Sequence, residues 1–229
     1  MKAAAVVNPK SASGKTGKLW ASLAPRINIE FAKFTEAPGH ATTLARELLE
    51  QGFDRIIAVG GDGTINEVVN GFLDNDQAIN PEAELAILPI GTGSDFQRSV
   101  PAREASPIDI AKISYRAHDG STRTRYFANL TSFGMGGEVA AGAKNFLTIF
   151  GGKAAFLYST LKVFVTYRPK TATLILDGQE HGPYTITNIA MGNGGFHGGG
   201  MHVCPKAHMD DGVLEVTVIE YLRMLEARP

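Results

Sequence analysis

Short apolar runs and segments of helical spacing alternate along the first half of the chain. The apolar runs predict strands at Ala3–Val7, Ile27–Phe31, Arg55–Val59 and Leu85–Leu88. The segments between and after them repeat apolar residues at helical spacing, and they predict helices at Thr16–Leu23, His40–Glu50 and Thr64–Leu73. Strands that alternate with helices in this way are typical of an α/β domain with a mostly parallel sheet.

The second half of the chain has a different pattern. Segments rich in Thr and Val predict strands of antiparallel character at Thr171–Leu176, Tyr184–Ala190 and Val213–Ile219, with a helix at Phe146–Val165. A polar, turn-prone run near residues 115–125 separates the two halves. We therefore expect an α/β domain over residues 1–120 and a mainly β, sandwich-type domain over residues 121–229.

The composition narrows the class of protein. Lys and Arg number 22 against 23 for Asp and Glu, so the chain lacks the overall basic field that would make nucleic acid its main partner. A single cysteine, Cys204, excludes an internal disulfide and favours a reducing compartment. The most apolar stretch is too short to span a bilayer. We expect a cytoplasmic protein, either soluble or bound peripherally at a membrane.

The junction after the third predicted strand carries the most specific motif. It consists of Gly60, Gly61, Asp62, Gly63 and Thr64, and the next helix begins there. Backbone N–H groups in such a loop can face a phosphate without side chains in the way. The carboxylate of Asp62 inside this cradle could bind a metal ion or take a proton from an attacking hydroxyl group. The alternative is a tight turn in which Asp62 or Thr64 caps the helix.

A second glycine loop follows the next strand. Gly91, Thr92 and Gly93 come after the apolar run that ends at Ile90, and Asp95 follows them. Because the carboxyl ends of parallel strands meet at one edge of a sheet, the two loops are expected to converge on one crevice. Neither loop is a dinucleotide fingerprint, so a phosphorylated ligand in another arrangement is the better hypothesis.

Two further segments lie in the second half. Residues 192–200 are dense in glycine, and Asp210, Asp211 and Gly212 precede the last predicted strand. The acidic turn fits a hairpin, and it could equally offer oxygen ligands to a hard cation such as Mg²⁺. His197, His202 and His208 lie near one another in sequence, but their spacing and the absence of a completing ligand disfavour a zinc site.

The glycine motifs belong to a longer series that follows a fixed order along the chain. The series is Val7-Asn8-Pro9, Ser13-Gly14-Lys15, Gly60 to Glu67, Leu88 to Thr92 with Asp95-Phe96, and Gly199-Gly200-Met201 with Pro205 and Asp211-Gly212. It resembles the diacylglycerol kinase catalytic family, which includes soluble bacterial lipid kinases and, more distantly, sphingosine and ceramide kinases. The resemblance runs from residue 6 to about residue 219.

The resemblance implies a fold and a reaction. The fold would be a nucleotide-binding domain like that of NAD kinases and phosphofructokinases, followed by a β-sandwich domain. The reaction would be transfer of the γ-phosphoryl group of ATP to a hydroxyl group of a diacylglycerol-like lipid, with Mg²⁺ as cofactor. The implied partners are ATP and a lipid at a membrane surface, and the chain could also pair with a second copy as a homodimer.

The resemblance also assigns residues. The implied catalytic acids are Asp62 and Asp95. The implied ATP-binding residues are Asn8, Thr35, Gly60, Gly61, Asp62, Gly63, Thr64, Ile65, Asn66 and Thr92. The implied Mg²⁺ ligands are the carboxylate of Asp211 and the main-chain carbonyls of His208 and Val213.

The chain departs from the family pattern at two places. Ser94 stands where the family usually has Asn before the Asp-Phe pair. Family members also continue further and carry a later Asp-Gly-Glu motif whose Glu serves as general base, so the second domain is expected to be incomplete at its C-terminus. Two alternatives therefore stay open: a catalytically silent nucleotide- or lipid-binding protein, and a kinase of a soluble substrate such as NAD.

Overall fold

The structure is a computed structural model that describes residues 1–27, 29, 31–90, 93–100, 104–139, 142, 158, 162–163 and 166–221. The chain divides into two compact units. Unit 1 comprises residues 1–129 and 193–213, and unit 2 comprises residues 130–192 and 214–229. The domain boundary predicted at residues 120 and 121 stays a prediction. Residues 193–200 of the glycine-dense segment belong to unit 1.

Unit 1 is built on a four-stranded parallel sheet. Its strands are β1 (Ala3–Val7), β2 (Phe31–Phe34), β3 (Arg55–Gly60) and β6 (Glu84–Pro89), in the order β2-β1-β3-β6. Successive residues of β1 contribute to different apolar clusters, Ala4 and Val6 to one and Ala5 and Val7 to the other. All four are fully buried, which explains the continuous apolar run in the sequence.

Among the described residues, four α-helices accompany this sheet. They are α1 (Ser11–Leu23), α2 (His40–Glu50), α3 (Asp62–Gly71) and α4 (Asp95–Ser99). The apolar faces of α2 and α3 supply Leu44, Leu48, Ile65 and Val68 to the larger cluster, whereas Trp20 of α1 belongs to the smaller one. The sequence therefore predicted α2 correctly, because the spacing of its leucines reflects one buried face.

The predicted bounds of one strand and one helix of unit 1 need the largest correction, while α3 begins and ends two residues before its predicted bounds. The strand predicted at Ile27–Phe31 is instead Phe31–Phe34, because pairing with β1 begins at Phe31 while Ile27 and Ile29 pack against the smaller cluster outside the strand. The helix predicted from Thr16 begins formally at Ser11. Positive φ at residues 12–14 interrupts its first turn, so regular helix starts beyond Gly14.

The described residues of unit 1 also form three antiparallel hairpins. They are β4 (Leu73–Asp74) with β5 (Gln77–Ala78), β7 (Ala111–Arg116) with β8 (Thr122–Phe127), and β12 (Phe196–His197) with β13 (Met201–His202). The first hairpin turns through Asn75 and Asp76, which both have positive φ. Such φ values suit the turn of a two-residue hairpin, and Asn and Asp tolerate them better than most residues.

Unit 2 contains an antiparallel sheet centred on a long strand. This strand is β11 (Gln179–Gly192), and it pairs with β9 (Leu130–Gly134), β10 (Lys170–Leu176) and β14 (Glu215–Glu220). The last strand begins at Glu215 rather than at the predicted Val213, because the N–H of Val213 donates to the side chain of Asp211 and so belongs to the preceding turn. The helix predicted at 146–165 lies largely outside the described residues.

Candidate active site

The carboxyl ends of three parallel strands bring predicted ATP-binding residues together. Asn8 follows β1 and its N–H donates to the carbonyl of Val59, while Thr35 follows β2 and its N–H donates to the carbonyl of Val7 at 2.9 Å. The side-chain amide of Asn8 donates to Oγ1 of Thr64 at 3.0 Å. The end of β1 is therefore tied to the first turn of α3, as convergence at one sheet edge predicts.

The loop between β3 and α3 is close-packed at one glycine and open at another. A Cβ atom on Gly60 would lie 2.6 Å from Oγ1 of Thr64, so only glycine allows Thr64 to stay in place. A Cβ atom on Gly63 would meet nothing within 4 Å. The side chain of Ile65 is buried in the core, so this residue could contact a ligand only through its main chain, whereas Asn66 is exposed.

Asp62 lies in the first turn of α3 and is fixed by the start of α4. Its Oδ1 accepts a hydrogen bond from the N–H of Phe96 at 3.0 Å. The capping alternative is not realised, since no side chain caps the N-terminus of α3. Asp62 therefore connects the two glycine loops rather than closing its own turn.

Asp95 is buried and held by the third glycine segment. Its Oδ2 accepts from the N–H of Gly199 at 2.9 Å and its Oδ1 from the N–H of Gly200 at 2.7 Å. Residues Gly198, Gly199 and Gly200 have φ values of 67°, 90° and 109°, which favour glycine. Successive N–H groups can thus turn toward one carboxylate. The sequence analysis identified this segment but not its hydrogen bonds to Asp95. Its density of glycine is the one sequence signal that could have indicated them.

The two carboxylates meet beside Gly93. The position that a Cβ atom on Gly93 would take lies 2.9 Å from Oδ2 of Asp62 and 3.3 Å from Oδ2 of Asp95. A side chain there would fill the space between the two acids. Glycine at position 93 therefore lets the two carboxylates approach the same point of the main chain. Thr92, which precedes Gly93, lies outside the described residues.

His197 is a third titratable group near these acids. Burial lowers its pKa from the ordinary value of 6.5, while the negative charges of Asp95 and Asp62 act in the opposite direction. Burial is the larger effect, so the neutral imidazole is favoured. The other residues of the predicted histidine group do not join it in a metal site, since the described residues contain no cluster of three His, Cys, Asp or Glu side chains suited to a metal.

Two asparagines position the segment that leads to His197. Asn129 donates to the carbonyl of Phe196 at 3.0 Å and accepts from the hydroxyl of Ser99, on the same helix as Asp95. Asn193 is almost fully buried and donates to the carbonyls of Asp109 and Ala128, both at 2.8 Å. Sequence reasoning missed both, because the carbonyls to which they donate lie more than sixty positions away along the chain.

The predicted Mg²⁺ ligands lie in an exposed turn of unit 1. Oδ1 of Asp211 accepts from the N–H of Val213 at 3.0 Å, and the carboxylate of Asp109 accepts from the N–H of Gly212 at 2.7 Å. Asp211 would be the one side-chain ligand, with oxygen from main-chain carbonyls of His208 and Val213 around it. Such a donor set suits a hard cation, so the residues fit Mg²⁺ chemically.

Comparison with known proteins adds independent findings. The model of the diacylglycerol kinase catalytic domain matches residues 2–124, and that of the YegS C-terminal NAD kinase beta sandwich-like domain matches residues 128–227. Within the described part of the chain, no helix is both long and apolar enough to cross a membrane.

Curated relatives and a solved structure agree with these matches. A "probable lipid kinase YegS-like" of Chromohalobacter salexigens is 32% identical over 98% of this chain and 70% of its own. One of Pseudomonas fluorescens is 33% identical over 82% of this chain and 62% of its own. The chain thus spans between three fifths and three quarters of these relatives. A crystal structure described as that of a diacylglycerol kinase from Bacillus anthracis covers 96% of this chain and 73% of its own, with a TM-score of 0.66 and 26% identity. The chain belongs to the diacylglycerol kinase catalytic domain family, a family of phosphotransferases.

Proposed function

We propose that this chain is an ATP-dependent lipid kinase, which transfers the γ-phosphoryl group of ATP to a hydroxyl group of a diacylglycerol-like lipid with Mg²⁺. The observation that carries the proposal is the meeting of Asp62 and Asp95 at Gly93, beside the loop that begins at Gly60. Phosphoryl transfer depends chiefly on positioning and on compensation of charge, and this arrangement of glycine loops and carboxylates suits both.

The ATP phosphates are assigned to the N-terminal turn of α3. The open space at Gly63 and the position of this loop at the N-terminus of a helix, which favours anions, support this assignment. Asn8 and Thr35 lie at the same sheet edge, and they complete the proposed pocket. The remaining proposed contacts are those of Gly60, Gly61, Asp62, Thr64, Ile65 and Asn66, together with Thr92.

We assign to Asp62 the role of accepting the proton of the lipid hydroxyl group. In this step the hydroxyl oxygen bonds to the γ-phosphorus, the bond from that phosphorus to the leaving ADP oxygen breaks, and Oδ2 of Asp62 takes the proton. Oδ1 of Asp62 already accepts from Phe96, so Oδ2 is the oxygen left for this task. Asp95 is held by two main-chain N–H groups, and we assign to it the role of orienting the hydroxyl group of the lipid.

Magnesium is proposed at two places in this scheme. With ATP it supplies charge neutralisation on the phosphates. At Asp211, together with the carbonyls of His208 and Val213, it would fix the turn that precedes β14. The exposed carboxylate of Asp211 and its position in a tight turn support this assignment. Because the substrate is a lipid, we also propose transient binding at a membrane surface.

The proposal is tested by transfer of labelled γ-phosphate from ATP in the presence of Mg²⁺. The acceptors are diacylglycerol, phosphatidylglycerol, ceramide and sphingosine in mixed micelles, with NAD as a soluble acceptor. The variant is Asp62→Asn, and the matched control is Asp119→Asn, an exposed carboxylate in the turn between β7 and β8. We expect label on one lipid with the native chain and with the control, and almost none with Asp62→Asn.

Two results contradict the proposal. Label on NAD and on no lipid would assign the chain to a soluble substrate. ATP binding without label on any acceptor would make the chain a nucleotide-binding protein without kinase activity. In both cases the lipid kinase assignment fails for this chain.

A further inference from the structure

The loop between β2 and α2 comprises residues 35–39, and it carries Thr35, one of the proposed ATP-binding residues. At its start the N–H of Thr35 donates to the carbonyl of Val7 at 2.9 Å. It ends at Gly39, the N-cap of α2, which has a φ of 83° and no side chain with which to cap the helix. The main-chain N–H groups at the start of α2 therefore need an acceptor from outside that helix.

Glu67 of α3 supplies this acceptor. Its Oε1 accepts from the N–H of Gly39 at 2.9 Å, and its Oε2 accepts from the N–H of Ala41 at 3.2 Å. The hydroxyl of Thr42 also donates to the main-chain carbonyl of Glu67 at 2.8 Å. A carboxylate at a helix N-terminus is favoured by the helix dipole, and its hydrogen bonds to N–H groups are charge-assisted. Glu67 thus fixes the end of the loop and the first turn of α2 from a neighbouring helix.

Two further contacts hold the middle of the loop. Nζ of Lys10 donates to the carbonyl of Glu36 at 3.2 Å, and the N–H of Glu36 donates to Nδ1 of His40, also at 3.2 Å. These contacts are exposed, whereas the hydrogen bonds of Glu67 are partly buried. Because a hydrogen bond is stronger where water has less access, we expect Glu67 to contribute more to the position of the loop than Lys10.

Glu67 lies on the helix that begins at the candidate active site. Asp62 is the first residue of α3, and Glu67 follows it by five positions, which corresponds to about 7.5 Å along a helix. Asp62 accepts from the N–H of Phe96 at the start of α4, and Glu67 accepts from N–H groups at the start of α2. One helix therefore connects the proposed catalytic acid with the loop that carries Thr35.

The sheet order indicates which part of ATP this loop would meet. The proposed catalytic acids follow β3 and β6, whereas the loop follows β2 at the opposite edge of the sheet. Phe34 and Val59 are both paired with Val7, so β2 and β3 end level with each other, about 10 Å apart across β1. A nucleotide whose γ-phosphate lies at the acids would therefore extend its nucleoside end toward residues 35–39.

We propose that Glu67 is a positioning residue for ATP, because it holds residues 35–39 in the conformation that receives the nucleoside end of the nucleotide. The inference rests on the proposed function, which places the phosphates of ATP at the start of α3. A loop that is held in advance does not have to be ordered when the nucleotide binds. Without Glu67 the loop would adopt other conformations, and the affinity for ATP would fall with the fraction of chains that remain competent to bind.

The test measures binding of a non-hydrolysable ATP analogue with Mg²⁺ to the full chain by calorimetric titration. The variant is Glu67→Gln, which keeps the length of the side chain but has one acceptor oxygen for two N–H groups. The matched control is Thr42→Ala, which removes a hydrogen bond between the same two helices and leaves both carboxylate oxygens of Glu67 on their N–H donors. We expect affinity about three- to tenfold weaker in Glu67→Gln, and native affinity in Thr42→Ala.

A second probe separates positioning of the loop from general damage to the site. It is tripolyphosphate, which has the phosphates of ATP without the nucleoside, and its affinity is measured by competition with the analogue. We expect Glu67→Gln to bind tripolyphosphate as the native chain does. In the phosphoryl-transfer assay we expect KM for ATP to rise in this variant by a factor similar to the loss of affinity, with KM for the lipid changed by less than about twofold. Urea unfolding confirms that both variants are folded.

Three results overturn the inference while leaving the proposed function intact. They are native affinity for the ATP analogue in Glu67→Gln, an equal loss of affinity in Thr42→Ala, and a loss of tripolyphosphate affinity as large as the loss for the analogue. The last two would mean that any disturbance between α2 and α3 damages the site. A native chain that does not bind the ATP analogue would overturn the proposed function and this inference with it.

Discussion

Two glycine segments of unit 1 use the same residue for different physical reasons. In the loop that opens α3, Gly60 is required because a Cβ atom would collide with Thr64, and its φ is not positive. In the segment at Gly199 and Gly200 there is space for a Cβ atom, but the backbone has φ values of 90° and 109°. Glycine provides close approach in the first segment and a left-handed conformation in the second.

The two segments also differ in how they reach the site. The first lies within one strand-loop-helix unit, so the residues that form it are neighbours in sequence. The second reaches Asp95 across more than a hundred positions. A local motif can therefore be interpreted from sequence spacing, whereas a loop that depends on tertiary contact needs the fold.

The largest effect on stability is expected from Gly60→Ala. The new Cβ atom would lie 2.6 Å from Oγ1 and 2.8 Å from Cβ of Thr64, and relieving such overlap costs about 1–3 kcal/mol of unfolding free energy. The control is Gly63→Ala, in the same helix start but with open space around it. We expect this control to be neutral or more stable by up to about 1 kcal/mol, because alanine favours helix. Urea unfolding of both variants measures the difference, and equal losses would contradict the account.

The Gly63→Ala variant also separates an effect on stability from an effect on ATP binding. If Gly63 faces the ATP phosphates as proposed, its new methyl group intrudes on them. We expect Gly63→Ala to keep its unfolding free energy and to bind ATP several-fold more weakly, as measured by calorimetric titration. Unchanged ATP affinity would remove Gly63 from the proposed pocket.

A smaller loss is expected from Gly199→Ala. No atom lies within 4 Å of the new Cβ, so the cost arises from placing alanine at a φ of 90° and amounts to about 1–2 kcal/mol. The measurement is again urea unfolding, with Gly63→Ala as the control for an added methyl group at an ordinary φ. A neutral Gly199→Ala would mean that the left-handed turn does not hold the N–H group against Asp95.

The pH dependence of stability tests the environment of His197. Its folded pKa lies below the ordinary value of 6.5, so the unfolded chain takes up the proton first. Above about pH 6.5 the imidazole is neutral in both states and stability is at its full value. As the pH falls from about 6.5 toward the folded pKa, the unfolding free energy decreases. We expect His197→Gln to flatten this part of the profile and His118→Gln, at an exposed turn, to leave it unchanged. A profile that His197→Gln does not alter would contradict the burial of the imidazole.

The smallest effect is expected at Ser94. This residue precedes α4 with φ 54° and ψ 37°, a left-handed conformation that asparagine adopts more readily than serine. Ser94→Asn, which restores the residue usual in the family, should raise the unfolding free energy by on the order of 0.5 kcal/mol. The control Ser22→Asn changes an exposed serine in regular helix. A loss of stability at Ser94 would mean that side-chain contacts, not the backbone, select serine there.

Much of the fold follows from the sequence because its signals are local. The spacing of the leucines in α2 and the apolar runs of β1 and β3 reflect which residues are buried in the core. The positions of these three elements were therefore predicted well. The strand at Phe31–Phe34 was misplaced because Ile27 and Ile29 are apolar for packing rather than for strand pairing. Apolar character alone does not distinguish these two uses.

The candidate site shows the same division. Asp62 could be singled out from its place within a glycine loop, and Asp95 from its place after the next loop. Their meeting beside Gly93 follows from the adjacency of β3 and β6 in the sheet. The N–H groups that hold Asp95, and the asparagines that position that segment, depend on contacts between distant parts of the chain, which spacing does not reveal.

The central claim is that Asp62 and Asp95 act together on one reacting group. A double-mutant cycle tests this claim most directly. The rate of phosphoryl transfer from ATP to the accepted lipid is measured for the native chain, Asp62→Asn, Asp95→Asn and the double variant. Circular dichroism confirms that each variant is folded. We predict that Asp62→Asn lowers the rate by about 10²–10⁴-fold and that the double variant is no slower than the slower single variant. Losses that multiply in the double variant, or a single Asp62→Asn that keeps the native rate, would contradict the account.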